Sequence, residues 1–186
     1  MREVNPDHNS NNSDSKIDFK NLIEFLFAFV KNPIEHIAKI PDWNWASIFF
    51  VQIMIALCSG VLAGLIKLNI YRMAAGVFIM PFVSTITSLL MATFFYYYLQ
   101  FFENRTENFR KLFTFVILSS IPFYVFQIVS EYFAPITLIG FGFSFLLAIV
   151  GLNENFKVEK KRCYQLIGLL FVLVLVTWIT NRYSSN

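Results

Sequence analysis

Residues 43–66 read WNWASIFFVQIMIALCSGVLAGLI, 24 positions without a single Asp, Glu, Lys, Arg or His. A helix rises about 1.5 Å per residue and needs about 20 residues to cross a hydrocarbon layer of about 30 Å, so this stretch is long enough to span a membrane by itself. Four further stretches lack the same five residue types: Met73 to Phe102, Leu112 to Ser130, Tyr132 to Asn153 and Cys163 to Asn181, of 30, 19, 22 and 19 residues. All are rich in Phe, Leu, Ile and Val, which enter lipid favourably, whereas one central Lys or Asp would cost roughly 2.5–3.5 kcal/mol. The fold class is therefore an all-α membrane protein. Five transmembrane helices are predicted at about residues 46–66, 75–98, 112–129, 133–152 and 163–180, within one domain over 43–182.

Composition agrees. With 56% hydrophobic content in 186 residues, the chain holds more apolar surface than a soluble domain of this size could bury. The 15 basic residues barely exceed the 12 acidic ones, so no bulk field favours nucleic acid. Residues 1–16, dominated by Asn, Ser, Asp and Pro, read as a disordered polar tail and lack the build of a secretory signal. Residues 17–42 form an amphipathic segment preceding the first spanning helix. Lys20, Glu24 and Lys31 recur at helical spacing among Leu22, Ile23, Phe25, Leu26, Phe27, Phe29 and Val30, and a shorter turn places Ile34, Ile37 and Ile40 against Glu35, His36 and Lys39. Such a segment lies on the membrane surface or docks on the bundle. Residues 183–186 are a short tail.

Charge placement sets an orientation. Lys and Arg number 12 in the N-terminal segment and alternate loops, against 3 in the other segments. The positive-inside rule then puts the N-terminus in the cytoplasm and the C-terminus outside. Trp43, Trp45, Trp178 and Tyr183 stand at helix ends, where an amphipathic ring suits the headgroup level. The run 94–102, FFYYYLQFF, exceeds what a span needs and is expected to emerge at the interface.

Because lipid is as apolar as Leu, spanning helices associate through close backbone approach, and small residues mark the contacts. Three stripes qualify: Ala56, Gly60 and Gly64; Ser84, Ser88 and Ala92; Gly140, Ser144 and Ala148. Each serves internal packing or self-association. Pro122 lacks the amide that would bond the Leu118 carbonyl, so a kink is expected there, softened by Ser119 or Ser120. Cys58 and Cys163 read as small packing residues, not a disulfide.

Proton relays, ion pathways and intramembrane hydrolases place ionisable groups inside the bilayer. None stands within the five spans; the polar inventory there is Gln52, Gln127 and scattered Ser and Thr, which offers no acid, base or strong nucleophile pair. No catalytic, metal or cofactor site is expected. What remains is two basic loops, with Arg105, Arg110 and Lys111 in one and Lys157, Lys160, Lys161 and Arg162 in the other. They orient the chain and face the bilayer's anionic headgroups at about 1 kcal/mol per charge, and they suit docking of a membrane-protein partner.

An amphipathic segment ends at Asn32-Pro33, a polar turn runs into Phe109, Ile121-Pro122 lies within the third span, and Gly151-Leu152 precedes the basic run Lys160-Lys161-Arg162-Cys163. In this order and local pattern the chain resembles the Yip-domain (Ypt/Rab-interacting protein) family, prokaryotic branch. The resemblance implies a five-helix integral membrane protein, here of a bacterial inner membrane, without enzymatic activity, and a scaffold or adaptor role. The alternative is a small transporter or channel subunit, with Gln52, Ser59, Ser84, Thr87, Ser88 and Gln127 to line a path.

Overall fold

The computed structural model describes residues 19–66, 68, 70–130, 132–133 and 135–184, and among these every regular element is helical. The N-terminal tail read as disordered lies outside the described residues. Two short helices, α1 (Phe19–Lys31) and α2 (Pro33–Ile37), precede α3 (Trp45–Ile66), α4 (Ile70–Phe102), α5 (Phe109–Val129), α6 (Ile136–Phe156) and α7 (Lys160–Ser184). The last five are each long and apolar enough to cross a membrane. The helix boundaries follow local chemistry. The Asn44 side chain accepts from the Ser47 amide at 2.7 Å ahead of α3, and Asn108 accepts from Arg110 at 2.9 Å to cap α5, each satisfying an amide that a helix N-terminus leaves free. α4 stays helical through the surplus of the second span to Phe102, with Phe95 and Leu99 buried and Phe101 and Phe102 exposed.

The centre of the bundle is α5, which packs on α3, α4 and α6. Over half of its apolar core window is buried, 56%, against 17% for α4 and for α7, so those two form the lipid-facing flanks. Phe115 joins three helices, its buried ring meeting Phe95 of α4 and Phe156 of α6 edge-on, each at 5.5 Å.

The glycines of the stripes sit at helix crossings. A Cβ on Gly60 would stand 2.7 Å from the Gly76 Cα, so α3 and α4 touch backbone to backbone there, and one on Gly64 would stand 2.8 Å from the Met73 Cα. Gly140 faces Phe126 and Phe123 of α5, where a Cβ would come within 2.8 Å of the Phe126 Cβ. Ala56, Ser84, Ser88, Ala92, Ser144 and Ala148 are buried. Gly76 and Gly151, the latter pressed against the Phe115 ring, belong to no sequence stripe yet are equally close-packed.

Pro122 lies inside α5 without ending it. Ser119 and Ser120 donate to the carbonyls of Phe115 and Val116, four residues back, not to that of Leu118. The Phe123 amide donates to Ser144 Oγ on α6 at 3.1 Å, so the stretch around the proline is tied to the neighbouring helix. Of the two cysteines, Cys163 is buried, whereas Cys58 is exposed on the outer side of α3 and does not pack as a small core residue.

α1 and α2 dock on the bundle. Leu22, Phe29 and Ile37 are buried, Phe25 meets Trp43 edge-on at 5.1 Å, and Phe19 meets Phe50 of α3 at 5.0 Å.

Candidate functional site

The basic loops share one end of the bundle with α2, and most of their charge is used to build that end. At the close of α4, Asn104 takes a left-handed conformation (φ 51°) and the amides of Glu103 and Arg105 both return to the Leu99 carbonyl. α6 ends the same way: Lys157 has φ 54°, and its amide and that of Val158 donate to the Leu152 carbonyl, with Val158 fully buried beneath.

Two cations close the C-terminus of α6, where helix carbonyls lack partners and the macrodipole is negative. Arg105 donates to the Phe156 carbonyl at 3.1 Å and to that of Lys157 at 3.4 Å. Lys111 donates to the Asn155 carbonyl at 3.2 Å and sits 5.2 Å above the centre of the Phe156 ring. Two more make ion pairs between elements: Arg110 with Asp42 at 2.7 Å, and Arg162 with Glu103 at 2.9 Å. The Glu103 side chain is only 11% exposed, so the second pair is a partly desolvated link from α7 to the end of α4.

Asn155 fastens α2 and the chain after it to α6. Its Nδ2 donates to the Ile37 carbonyl at 2.7 Å and to that of Gly151 at 3.1 Å, while its Oδ1 accepts from the Ile40 amide at 3.1 Å. Sequence reasoning missed this residue, because its partners lie 115 and 118 positions away. The seven basic residues expected at this end thus fall into two groups. Arg105, Arg110, Lys111 and Arg162 hold the platform together, and Lys157, Lys160 and Lys161 stand exposed on it without an ion pair among the described residues.

The polar residues considered for a path do not form one line. Gln52 is fully buried in the body of α3 with neither amide atom hydrogen-bonded among the described residues, and Ser59 donates to the Tyr124 carbonyl at 2.9 Å. Ser84, Thr87, Ser88 and Gln127 instead border a cavity of about 990 Å³. It is a groove walled by α4 and α7, with α5 and α6 as its floor.

Five apolar helices, bound by close small-residue crossings and closed at one end by a hydrogen-bonded platform, define a multi-pass integral membrane protein in contact with the bilayer. The Yip1 domain family model matches residues 27–180, from within α1 almost to the end of α7, and the chain belongs to that family. No curated protein and no solved structure matches it. The Yip1 family is a non-catalytic membrane family.

Proposed function

We propose that the protein is a non-enzymatic scaffold or adaptor within the membrane, with the platform and N-terminus in the cytoplasm. It presents Lys157, Lys160 and Lys161 to a membrane-protein partner or to anionic lipid headgroups. A bacterial inner membrane and the prokaryotic branch of the family are part of this reading. The observation that carries it is the division of labour among the basic side chains: four are committed to internal hydrogen bonds and ion pairs, and the three lysines beside them are exposed. A fixed cluster of unpaired cations suits recognition of negative charge without a large ordering cost on binding.

The test replaces Lys157, Lys160 and Lys161 together by Gln. At about 1 kcal/mol per charge near an anionic surface, association should weaken by about two orders of magnitude at low salt and less at physiological ionic strength. Crosslinked capture from intact membranes and co-purified anionic lipid are the readouts, with orientation checked in parallel because the change removes topology signal. Undiminished capture and lipid retention in a correctly oriented triple variant would refute the platform's role. The transporter reading draws on Ser84, Thr87, Ser88 and Gln127 sharing one cavity. A solute flux in liposomes that vanishes on Gln127→Leu and survives the lysine replacement would favour it over the scaffold.

A further inference from the structure

α1 is apolar over more of its surface than docking on the bundle uses. Successive side chains of a helix stand about 100° apart, and counting from Phe19 sorts α1 into three sectors. Leu22, Phe25, Leu26 and Phe29 fall at about 240–340° and are buried or partly buried. Phe19, Ile23, Phe27 and Val30 follow at about 0–80°, and all four are exposed. Lys20, Glu24 and Lys31 come next at about 100–140°, and Asn21 and Ala28 complete the circle. Around the axis the order is therefore bundle, exposed apolar stripe, polar face. A docked helix in water needs only the first and the last; the stripe between them calls for a third neighbour, an apolar one.

The position of α1 identifies that neighbour. Phe19 meets the ring of Phe50 at 5.0 Å, about 7–8 Å along α3 from its start at Trp45, and interfacial helices sink their apolar faces about 5–10 Å. Ile53 and Met54, three and four residues on from Phe50 and so on the same side of this spanning helix, are exposed. The stripe thus adjoins a surface of α3 that faces lipid. The segment ahead of Phe19 supplies no alternative cover, since Met1, Val4 and Ile17 are its large apolar side chains among Asn, Ser and Asp.

A helix so placed enlarges one leaflet only. Its 13 residues form a cylinder about 20 Å long and 10–12 Å across, which occupies up to about 200 Å². Five spanning helices of that diameter occupy about 400–550 Å² in either leaflet, so α1 adds about two-fifths at the platform end. Among the described residues no helix outside the spans lies at the opposite end. Because Leu22 and Phe29 are buried against the bundle, the added area is carried permanently and needs no separate ordering step.

We propose that α1 is a one-sided wedge. Its stripe lies among the acyl chains of the leaflet at the platform end, and the protein thereby prefers bilayers curved with that leaflet convex. The preference acts through hydrocarbon contact, independently of the platform lysines and of the compartment the platform faces.

The full chain is reconstituted into giant phosphatidylcholine vesicles from which narrow membrane tethers are drawn. It carries a dye on Glu154→Cys, at an exposed platform position, in a background lacking Cys58 and Cys163. An impermeant quencher outside separates molecules with the platform outward from those with it inward. Outward molecules should be enriched in the tether relative to the parent vesicle, and inward molecules depleted. Ile23→Gln, Phe27→Gln and Val30→Gln together exchange the stripe for a polar helix former at exposed positions and should abolish both effects with the melting temperature unchanged. Phe27→Gln alone should weaken both, and Lys20→Gln with Lys31→Gln should leave both intact. Equal enrichment of the two orientations, or no sorting of either, would overturn the wedge. Sorting that survives the triple variant would overturn the role of the stripe. A disulfide joining two chains through Phe27→Cys would assign the stripe to a second copy instead.

Discussion

The crossing of α3 and α4 provides a sharp test of how this bundle is held together. Gly60→Ala adds one methyl group, which would sit 2.7 Å from the Gly76 Cα and 2.8 Å from its carbonyl oxygen. Carbon atoms pack at about 3.5–4.0 Å, so relief requires the two helices to separate by about 1 Å at their tightest point, and neither contact is a flexible side chain that could turn away. Overpacking of this kind costs about 1–3 kcal/mol. Replacing a helical glycine by alanine also gains up to about 1 kcal/mol of helix propensity, which must be subtracted before the cost is read. Gly142→Ala supplies the correction, because nothing lies within 4 Å of a Cβ at that position and only the propensity gain remains. The two variants should therefore differ by about 1–3 kcal/mol, which at about 2–4 °C per kcal/mol for a chain of this size separates their detergent melting curves by several degrees. Gly76→Ala should behave as Gly60→Ala does, since its Cβ would meet the Gly60 backbone at 2.6 Å. The double variant should cost less than the sum, because the first methyl has already parted the helices. Superimposable melting of the Gly60 and Gly142 variants would show that this crossing contributes nothing specific to stability.

Asn155→Leu should loosen α2 and the chain up to Ile40 by about 1–3 kcal/mol, read as faster hydrogen exchange at the Ile40 amide with α5 unaffected. Arg162→Gln leaves the mostly buried Glu103 carboxylate without its partner and should lower the melting temperature, whereas Lys161→Gln, at an exposed and unpaired position, should not. In a background lacking Cys58 and Cys163, a cysteine at Tyr132 should react with an impermeant reagent in intact cells and one at Glu154 should not; the reverse pattern would invert the proposed orientation.

The spans were legible because a bilayer imposes a length and a polarity that any uncharged run of about 20 residues reveals directly. Small residues were legible as a class, since close approach demands them whatever the partner, but the partner was not. Gly60 carries a pattern with Gly64, while Gly76, which completes the contact, has Arg72 and Met80 four positions on either side and so forms no stripe. The basic loops were visible as charge, yet the split between structural and exposed side chains depends on which carbonyls the ends of α4 and α6 leave open. Asn155 and Val158 were invisible for the same reason. An asparagine and a valine near a loop have no periodicity to announce that one clamps the chain after α2 and the other fills the turn closing α6.

The N-terminal segment was read as lying on the membrane surface or docking on the bundle, and the structure carries docking contacts on one face of α1. α1 has polar side chains at few positions, so its apolar surface is too broad for a single contact. Leu22 and Phe29 are buried against the bundle, while Ile23, Phe27, Val30 and Ile34, spaced by four, three and four residues, are 50–68% exposed and continue one stripe from α1 into α2. Each Å² of that stripe left in water would forgo about 25 cal/mol, so an aqueous setting does not suit it. Phe19 lies beside Phe50, in the second turn of α3, while Phe25 lies beside Trp43, just before α3 begins, so α1 follows the start of the first spanning helix instead of standing clear of it. We propose that this helix, held to the bundle on one side and apolar on its other side, rests at the boundary between headgroups and acyl chains. Docking fixes its angle, and the exposed stripe gives it a reason to remain at that depth.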